Sequence, residues 1–134
     1  MILRVVAGLI GGLFLAQAIS WMIDPTGSAE ALGMPLLDGL ARSTQVGDFT
    51  SFFLALGTMG LLGAVRMSGT WLRGAAMLLG GAAAMRTLAW GIHDAAFATE
   101  FIVIETVAAV ILLFIASRFD AIDTSSESEA SPSN

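Results

Sequence analysis

Hydrophobic residues dominate four stretches of the chain, and polar residues separate them. The stretches cover residues 2–23, 46–65, 71–92 and 97–116. A helix needs about 20 mainly apolar residues to cross the hydrocarbon core of a bilayer. The pattern therefore predicts an all-α protein, a bundle of four transmembrane helices.

The composition supports a membrane protein. The chain has 134 residues, of which 56% are hydrophobic and 13% charged, whereas soluble domains carry about 25% charged residues. It has too few polar residues to cover a soluble domain, so we expect the lipid bilayer as its main partner. A net charge of −5 and the lack of lysine leave no basic surface for nucleic acid. The lack of cysteine excludes disulfides and thiolate chemistry.

The first stretch has a second interpretation. Arg4, an apolar run and the letters AQA at residues 16–18 also fit a signal peptide with its cleavage site. The apolar run continues past that site to Ile23, which favours a membrane span.

The arginines predict the orientation. With four crossings, Arg4, Arg66, Arg73 and Arg118 fall on one side and only Arg42 lies in a loop on the other. The excess of positive charge on cytoplasmic flanks then places both termini in the cytoplasm. We expect a multi-pass protein of the bacterial inner (plasma) membrane, with loops 24–45 and 93–99 facing outward.

The long first loop and the C-terminal tail differ in character. We expect Ser28 to cap a short helix that stops at Gly33, and a second short segment after Pro35. The loop is too apolar to be free, so it should lie on the outer membrane surface, or alternatively over the mouth of the bundle. Residues 119–134 are acidic and rich in serine, which predicts a disordered tail after a transmembrane domain at 1–118.

Each predicted span carries one polar residue at a similar depth in the outer half of the bundle. These residues are Gln17, Asp48, Arg86 and Glu105. An arginine at the centre of a membrane helix costs about 2.5 to 3.5 kcal/mol on insertion scales. A guanidinium that faces inward can instead engage two carboxylates. We therefore predict an Asp48–Arg86–Glu105 cluster as a ligand or proton site.

Helical spacing extends this cluster toward the outer surface. Arg86, Trp90 and His93 stand at i, i+4 and i+7 and share one face, so Gln17, Trp90 and His93 should form the rim. A single histidine cannot supply bis-histidine haem or His-based zinc ligation. Arg86 argues against a metal site made of the two carboxylates and His93. We therefore predict neither metal nor cofactor and assign no catalytic residue.

The charges of the cluster leave two interpretations open. Two ionised carboxylates and one arginine carry a net charge of −1, which an apolar site disfavours. A proton on one acid, a protonated His93 or a bound cation would compensate. Proton-linked sites are built in this way, and structural ion pairs inside membranes have the same composition.

Two segments carry a resemblance to a known family. The stretches RSTQVGDF at residues 42–49 and RTLAWGIHD at 86–94 resemble a family of small, uncharacterised bacterial four-helix membrane proteins, described only as a domain of unknown function. The resemblance covers residues 2–117. It implies an integral inner-membrane protein and no particular reaction. The layout is more distantly similar to DoxX-like four-helix proteins, an analogy of fold alone.

Three functions compete. Short loops and glycine-rich helices favour an interaction or accessory protein, which packs against a membrane partner or against its own copies. The alternative is a proton-linked carrier or binder of a small or lipid-like molecule at the polar cluster. A membrane enzyme that acts on a lipid or quinone-like substrate through a carboxylate is the third.

Overall fold

Residues 1–130 form five helices, and four of these are long and apolar enough to cross a membrane. The computed structural model describes the backbone of residues 1–130 and the side chains of residues 1–122. The helices are α1 (Ile2–Ile23), α2 (Pro25–Ala31), α3 (Gly39–Arg66), α4 (Gly69–His93) and α5 (Thr99–Ala130). The predicted all-α fold with four spans is confirmed.

The four long helices associate as two pairs. α1 packs along α3, and α4 packs along α5. A tight turn joins the pairs between α3 and α4, where Met67 adopts a left-handed conformation with φ 52°. α1 and α5 contact each other only slightly. The bundle is therefore connected along α3–α4 and weakly closed along α1–α5.

One end of the bundle has a continuous core. We call it the terminal end, because it holds the N terminus, the α3–α4 turn and the second half of α5. Leu72, Leu112 and Phe119 are fully buried there, and Ala7 brings α1 into the same cluster. All four long helices meet at this end.

The opposite end, the loop end, is divided. It holds residues 24–38 and 94–98, and its buried cluster comes from α1, α2 and α3 alone. Trp21 stacks on Phe49 with ring centroids 4.9 Å apart, and Ala29 of α2 is buried beside them. Among the side chains of residues 1–122, α4 and α5 contribute none to this cluster, so no core of these residues joins the two helix pairs at the loop end.

The first loop packs onto the bundle, which agrees with the second of the two expected positions. Leu32, Met34 and Leu36 pack against the α1–α2–α3 cluster. This packing removes apolar side chains from water without requiring contact with lipid. The loop therefore becomes part of the wall at this end.

The short helix in this loop also starts earlier than predicted. Asp24 is its N-cap, and its carboxylate accepts a hydrogen bond from the Gly27 amide at 3.0 Å. Ser28 lies inside α2, buried, with its hydroxyl 2.9 Å from that of Ser20. The predicted N-cap at Ser28 is wrong, because α2 already begins after Asp24, whose carboxylate accepts the hydrogen bond of the Gly27 amide.

The predicted second short segment is the first part of α3. That helix begins at Gly39 rather than near residue 46. Gln45 supports this start: its side chain accepts from the Leu37 amide at 2.9 Å and donates to the Pro35 carbonyl at 3.1 Å. The polar first turns of α3 are thus fixed by a contact with the preceding loop.

The last helix continues beyond the predicted domain boundary at residue 118. Phe119 is 1% exposed, and Asp120 forms an ion pair with Arg73 of α4. The backbone stays helical to Ala130, where a disordered tail was expected. Residues 131–134 of that tail lie outside the described residues. The domain therefore extends at least through Asp120.

We expect Phe119→Ala to lower the free energy of unfolding by about 3 kcal/mol, because it removes a large side chain from a closed core. Phe114→Ala is the matched control on the same helix, since Phe114 is half exposed, and it should cost less than about 1 kcal/mol. Reversible unfolding in mixed micelles, followed by circular dichroism, measures both. Equal losses would show that residue 119 is not part of the core.

Candidate functional site

A cavity of about 570 Å³ lies between the two helix pairs in the loop-end half of the bundle. It follows from the divided packing described above, because no core joins the pairs at this level. Its walls are mostly apolar and include five phenylalanine side chains: Phe14, Phe49, Phe52, Phe53 and Phe101. Its polar lining comes from Gln17, Asp48, Arg86 and Glu105. The volume falls in the range of about 300–1,000 Å³ that is usual for small-molecule sites.

The central contact of the site is the ion pair between Arg86 of α4 and Glu105 of α5. Arg86 Nε donates to both carboxylate oxygens of Glu105, at 3.1 and 3.2 Å. The Phe101 ring lies over the guanidinium, with Cζ 4.9 Å from the ring centroid. The side chains of Arg86 and Glu105 are only 31% and 12% exposed. The pair therefore connects α4 to α5 where the apolar core is absent.

One edge of the Arg86 guanidinium is left unused. Within the described chain, Nη1 and Nη2 donate no hydrogen bond, although both belong to a residue that lines the cavity. These two nitrogens carry four N–H donors. The Arg86 side chain is 31% exposed, so this edge is accessible and can donate to a polar group of a ligand.

Asp48 lies on the opposite wall of the cavity, on α3. It lines the cavity together with Arg86, but among the described side chains no ion pair joins the two. The predicted Asp48–Arg86–Glu105 cluster is therefore only half in contact: Arg86 pairs with Glu105, and Asp48 faces them across the cavity. The reason is the separation of the α1–α3 pair from the α4–α5 pair at this end.

The structure places the predicted rim residues in three different settings. Gln17 of α1 lines the cavity, as its depth suggested. Trp90 does not line it: Trp90 is 53% exposed and packs edge-on against Phe97, with centroids 5.1 Å apart. His93 is exposed at the end of α4. The last turn of α4 packs toward the 94–98 loop through Trp90. Trp90 and His93 therefore lie outside the cavity, although they share a helix face with Arg86.

The aromatic lining was missed by the sequence analysis. Phe101 stands four residues before Glu105, and this spacing places both on one face of α5. Phe14 precedes Gln17 by three residues in the same way. The signal that could have found this lining was an aromatic residue one helical turn from Gln17 and another from Glu105.

The site can bind a molecule with both an apolar and a polar part. Its phenylalanines offer an apolar surface, and its polar groups offer unused donors on Arg86 and an acceptor on Asp48. In the described residues, no group of three or more His, Asp or Glu side chains is placed to hold a metal ion. The polar groups that line the cavity can form hydrogen bonds and charge contacts.

Comparison with known proteins gives no neighbour: no family model, no curated protein and no solved structure matches this chain. The resemblance to a family of small bacterial four-helix proteins stays a prediction. The function is therefore inferred from the geometry of the site.

Proposed function

We propose that the protein is an integral membrane protein that binds an amphipathic small molecule in the cavity between its two helix pairs. The observation that carries this proposal is the unused Nη edge of Arg86 inside a cavity of about 570 Å³ with apolar walls. The ligand's polar group would meet Arg86 and Asp48, and its apolar part would contact the phenylalanines. This is the binding alternative of the sequence analysis.

The geometry favours binding over a purely accessory role. A bundle that only packs against a partner gains nothing from a cavity, since voids remove packing contacts between helices. Nor does it gain from a guanidinium edge on Arg86 that lines the cavity and donates to no protein acceptor. Both features are accounted for when a ligand fills the cavity and accepts the hydrogen bonds. The cavity is therefore better explained as a site than as a packing defect.

We further propose that the terminal end faces the cytoplasm and the cavity faces outward in the inner membrane. Arg4, Arg66, Arg73 and Arg118 cluster toward the terminal end, whereas Arg42 at the loop end is paired with Asp38 at 2.7 Å. The bias in positive charge supports this orientation. An amphipathic ligand would then be bound in the half of the bilayer remote from the cytoplasm.

We expect Ala82→Phe to abolish ligand binding. Ala82 lines the cavity, and a phenyl ring there takes up space that a ligand needs. Native mass spectrometry in nonionic micelles would count bound dodecanoate, dodecanol or dodecyltrimethylammonium, which share one chain and differ in the head group. The natural protein should bind at least one of them in a one-to-one complex, and the variant at least about tenfold more weakly, a difference of about 1.4 kcal/mol.

Ala84→Phe is the matched control, because Ala84 is two residues away on α4 and exposed on the outside of the bundle. It should leave binding unchanged. If the natural protein binds none of the three molecules, or if both variants bind equally well, the cavity is not a binding site.

A further inference from the structure

We propose that the ligand is a single-chain carboxylic acid of the fatty-acid type, whose carboxylate binds the free edge of Arg86 while Asp48 takes up one proton. This inference rests on the proposed binding function and names its ligand class. It follows from three features of the cavity: the shape of the free edge, the balance of charge and the side on which the cavity opens.

The free edge of Arg86 has the geometry of a carboxylate receptor. Glu105 already occupies the Nε position with both oxygens, and the Phe101 ring covers one face of the guanidinium. What remains is the Nη1–Nη2 edge, which presents two nearly parallel N–H groups. Such an edge matches the two oxygens of a planar carboxylate in a bidentate contact. An ammonium head group offers no acceptor and would leave these donors unmatched.

The charges that face the cavity require a proton when an anion binds. α3 supplies Asp48, α4 supplies Arg86 and α5 supplies Glu105, whereas α1 contributes only the neutral Gln17 and α2 only apolar residues. With both acids ionised, the net charge is −1. A bound carboxylate would raise it to −2 between mostly apolar walls, with Asp48 as the exposed member of the three charged residues, which is unfavourable.

Uptake of one proton by Asp48 restores the original balance. Glu105 is held by two contacts to Arg86, whereas Asp48 is not in an ion pair with any of the described side chains. The protonated Asp48 can then donate a hydrogen bond to the bound carboxylate. A phosphate monoester brings close to two negative charges and would need a second proton, so the site favours a carboxylate.

The cavity opens sideways toward the hydrocarbon of the bilayer. Leu13 of α1 and Ile104 of α5 both line it, yet they are 68% and 60% exposed on the outside of the bundle. α1 and α5 contact each other only slightly, so the opening lies between them. An acyl chain can enter by this route with its carboxyl group leading, and the chain end can remain in the bilayer. A single flexible chain fits an opening of this kind.

The first test measures dodecanoate affinity against pH in the full-length protein by native mass spectrometry. Binding coupled to one proton should weaken by about tenfold for each pH unit once the site is deprotonated. Asp48→Asn keeps the shape and removes the titrating group, so its affinity should no longer change with pH and should exceed that of the natural protein at about pH 8. A pH dependence that persists unchanged in Asp48→Asn would overturn the role of Asp48.

The second test changes the edge without removing the charge. Arg86→Lys keeps one positive charge but lacks the two parallel N–H groups. We expect it to lose at least about tenfold in dodecanoate affinity and to bind dodecanol as before. The double variant Arg86→Gln with Glu105→Gln, which removes both charges of the ion pair, checks the same loss if the lysine variant does not fold. Retained dodecanoate affinity in the folded variants would overturn the proposal.

The same probes separate this inference from the function it rests on. If dodecyltrimethylammonium binds in a manner that Ala82→Phe abolishes, while dodecanoate does not bind, the ligand class is wrong and the binding function stands. If none of the three molecules binds, both are wrong.

Discussion

Glu105→Leu should lower the free energy of unfolding by about 2–3 kcal/mol, and adding Arg86→Leu should recover most of that loss. The single change leaves the Arg86 guanidinium inside the bundle without its carboxylate partner, and an unpaired charge in that position is expensive. The double change removes both charges and leaves two apolar side chains between α4 and α5. Replacing a buried ion pair by apolar residues is often neutral in stability.

Mixed-micelle unfolding of the two single variants and the double variant gives this coupling as a double-mutant cycle. Glu100→Leu is the control on the same helix, because Glu100 is exposed in the first turn of α5. It should change stability by less than about 1 kcal/mol. A double variant that is less stable than Glu105→Leu alone would contradict the pairing.

The double variant also separates scaffold from function. If the ion pair serves only to hold α4 against α5, the double variant should fold and bind dodecanoate normally. On our proposal it folds but does not bind, because the Nη edge is gone. Asp48→Asn should show the opposite pattern, unchanged stability with altered binding. On this proposal Glu105 contributes to stability, Asp48 contributes to binding, and Arg86 contributes to both.

Gly11→Ala should destabilise the protein by about 2 kcal/mol, whereas Gly12→Ala should stabilise it slightly. A Cβ atom on Gly11 would lie 2.6 Å from the Leu61 backbone nitrogen and 2.9 Å from the Gly60 carbonyl carbon of α3. Backbone atoms cannot rotate away, so the helices must separate. Small residues let membrane helices pack at such short range.

Gly12 is the adjacent control on the same helix. A Cβ atom there meets no atom within 4 Å, and alanine in a helix is favoured over glycine by about 0.5–1 kcal/mol. The same unfolding assay measures both variants. Equal effects at the two positions would show that α1 and α3 do not approach each other at Gly11.

Much of the fold could be predicted from the sequence, because a bilayer requires long apolar helices and the chain has four. The starts and ends of helices were harder. α3 begins at Gly39, where the Gln45 side chain forms hydrogen bonds with the backbone of Pro35 and Leu37. A hydropathy pattern cannot reveal such a tertiary contact. α5 continues past residue 118 because Phe119 and Asp120 find partners on other helices.

The candidate site was predictable in part for a similar reason. The cost of a buried arginine correctly indicated a carboxylate partner for Arg86, and Glu105 provides it. Depth along a helix also placed Asp48 and Gln17 at the level of this pair. The depth of a residue along its helix does not determine the distance between two helices, however. Because the two helix pairs are separated at this level, Asp48 faces the cavity and does not contact the guanidinium.

The closed core at the terminal end gives the bundle a mechanical asymmetry. The two helix pairs share a core near Leu72 and Phe119 and have a cavity between them near Arg86, so a change in the angle between the pairs at that core would have its largest effect at the cavity. Arg86 stands about 21 Å along α4 from Leu72 at the usual rise per residue. A tilt of about 5° at that core displaces Arg86 by about 2 Å over that length. We therefore expect substitutions in the core at the terminal end to change the width of the cavity, although these side chains do not line it.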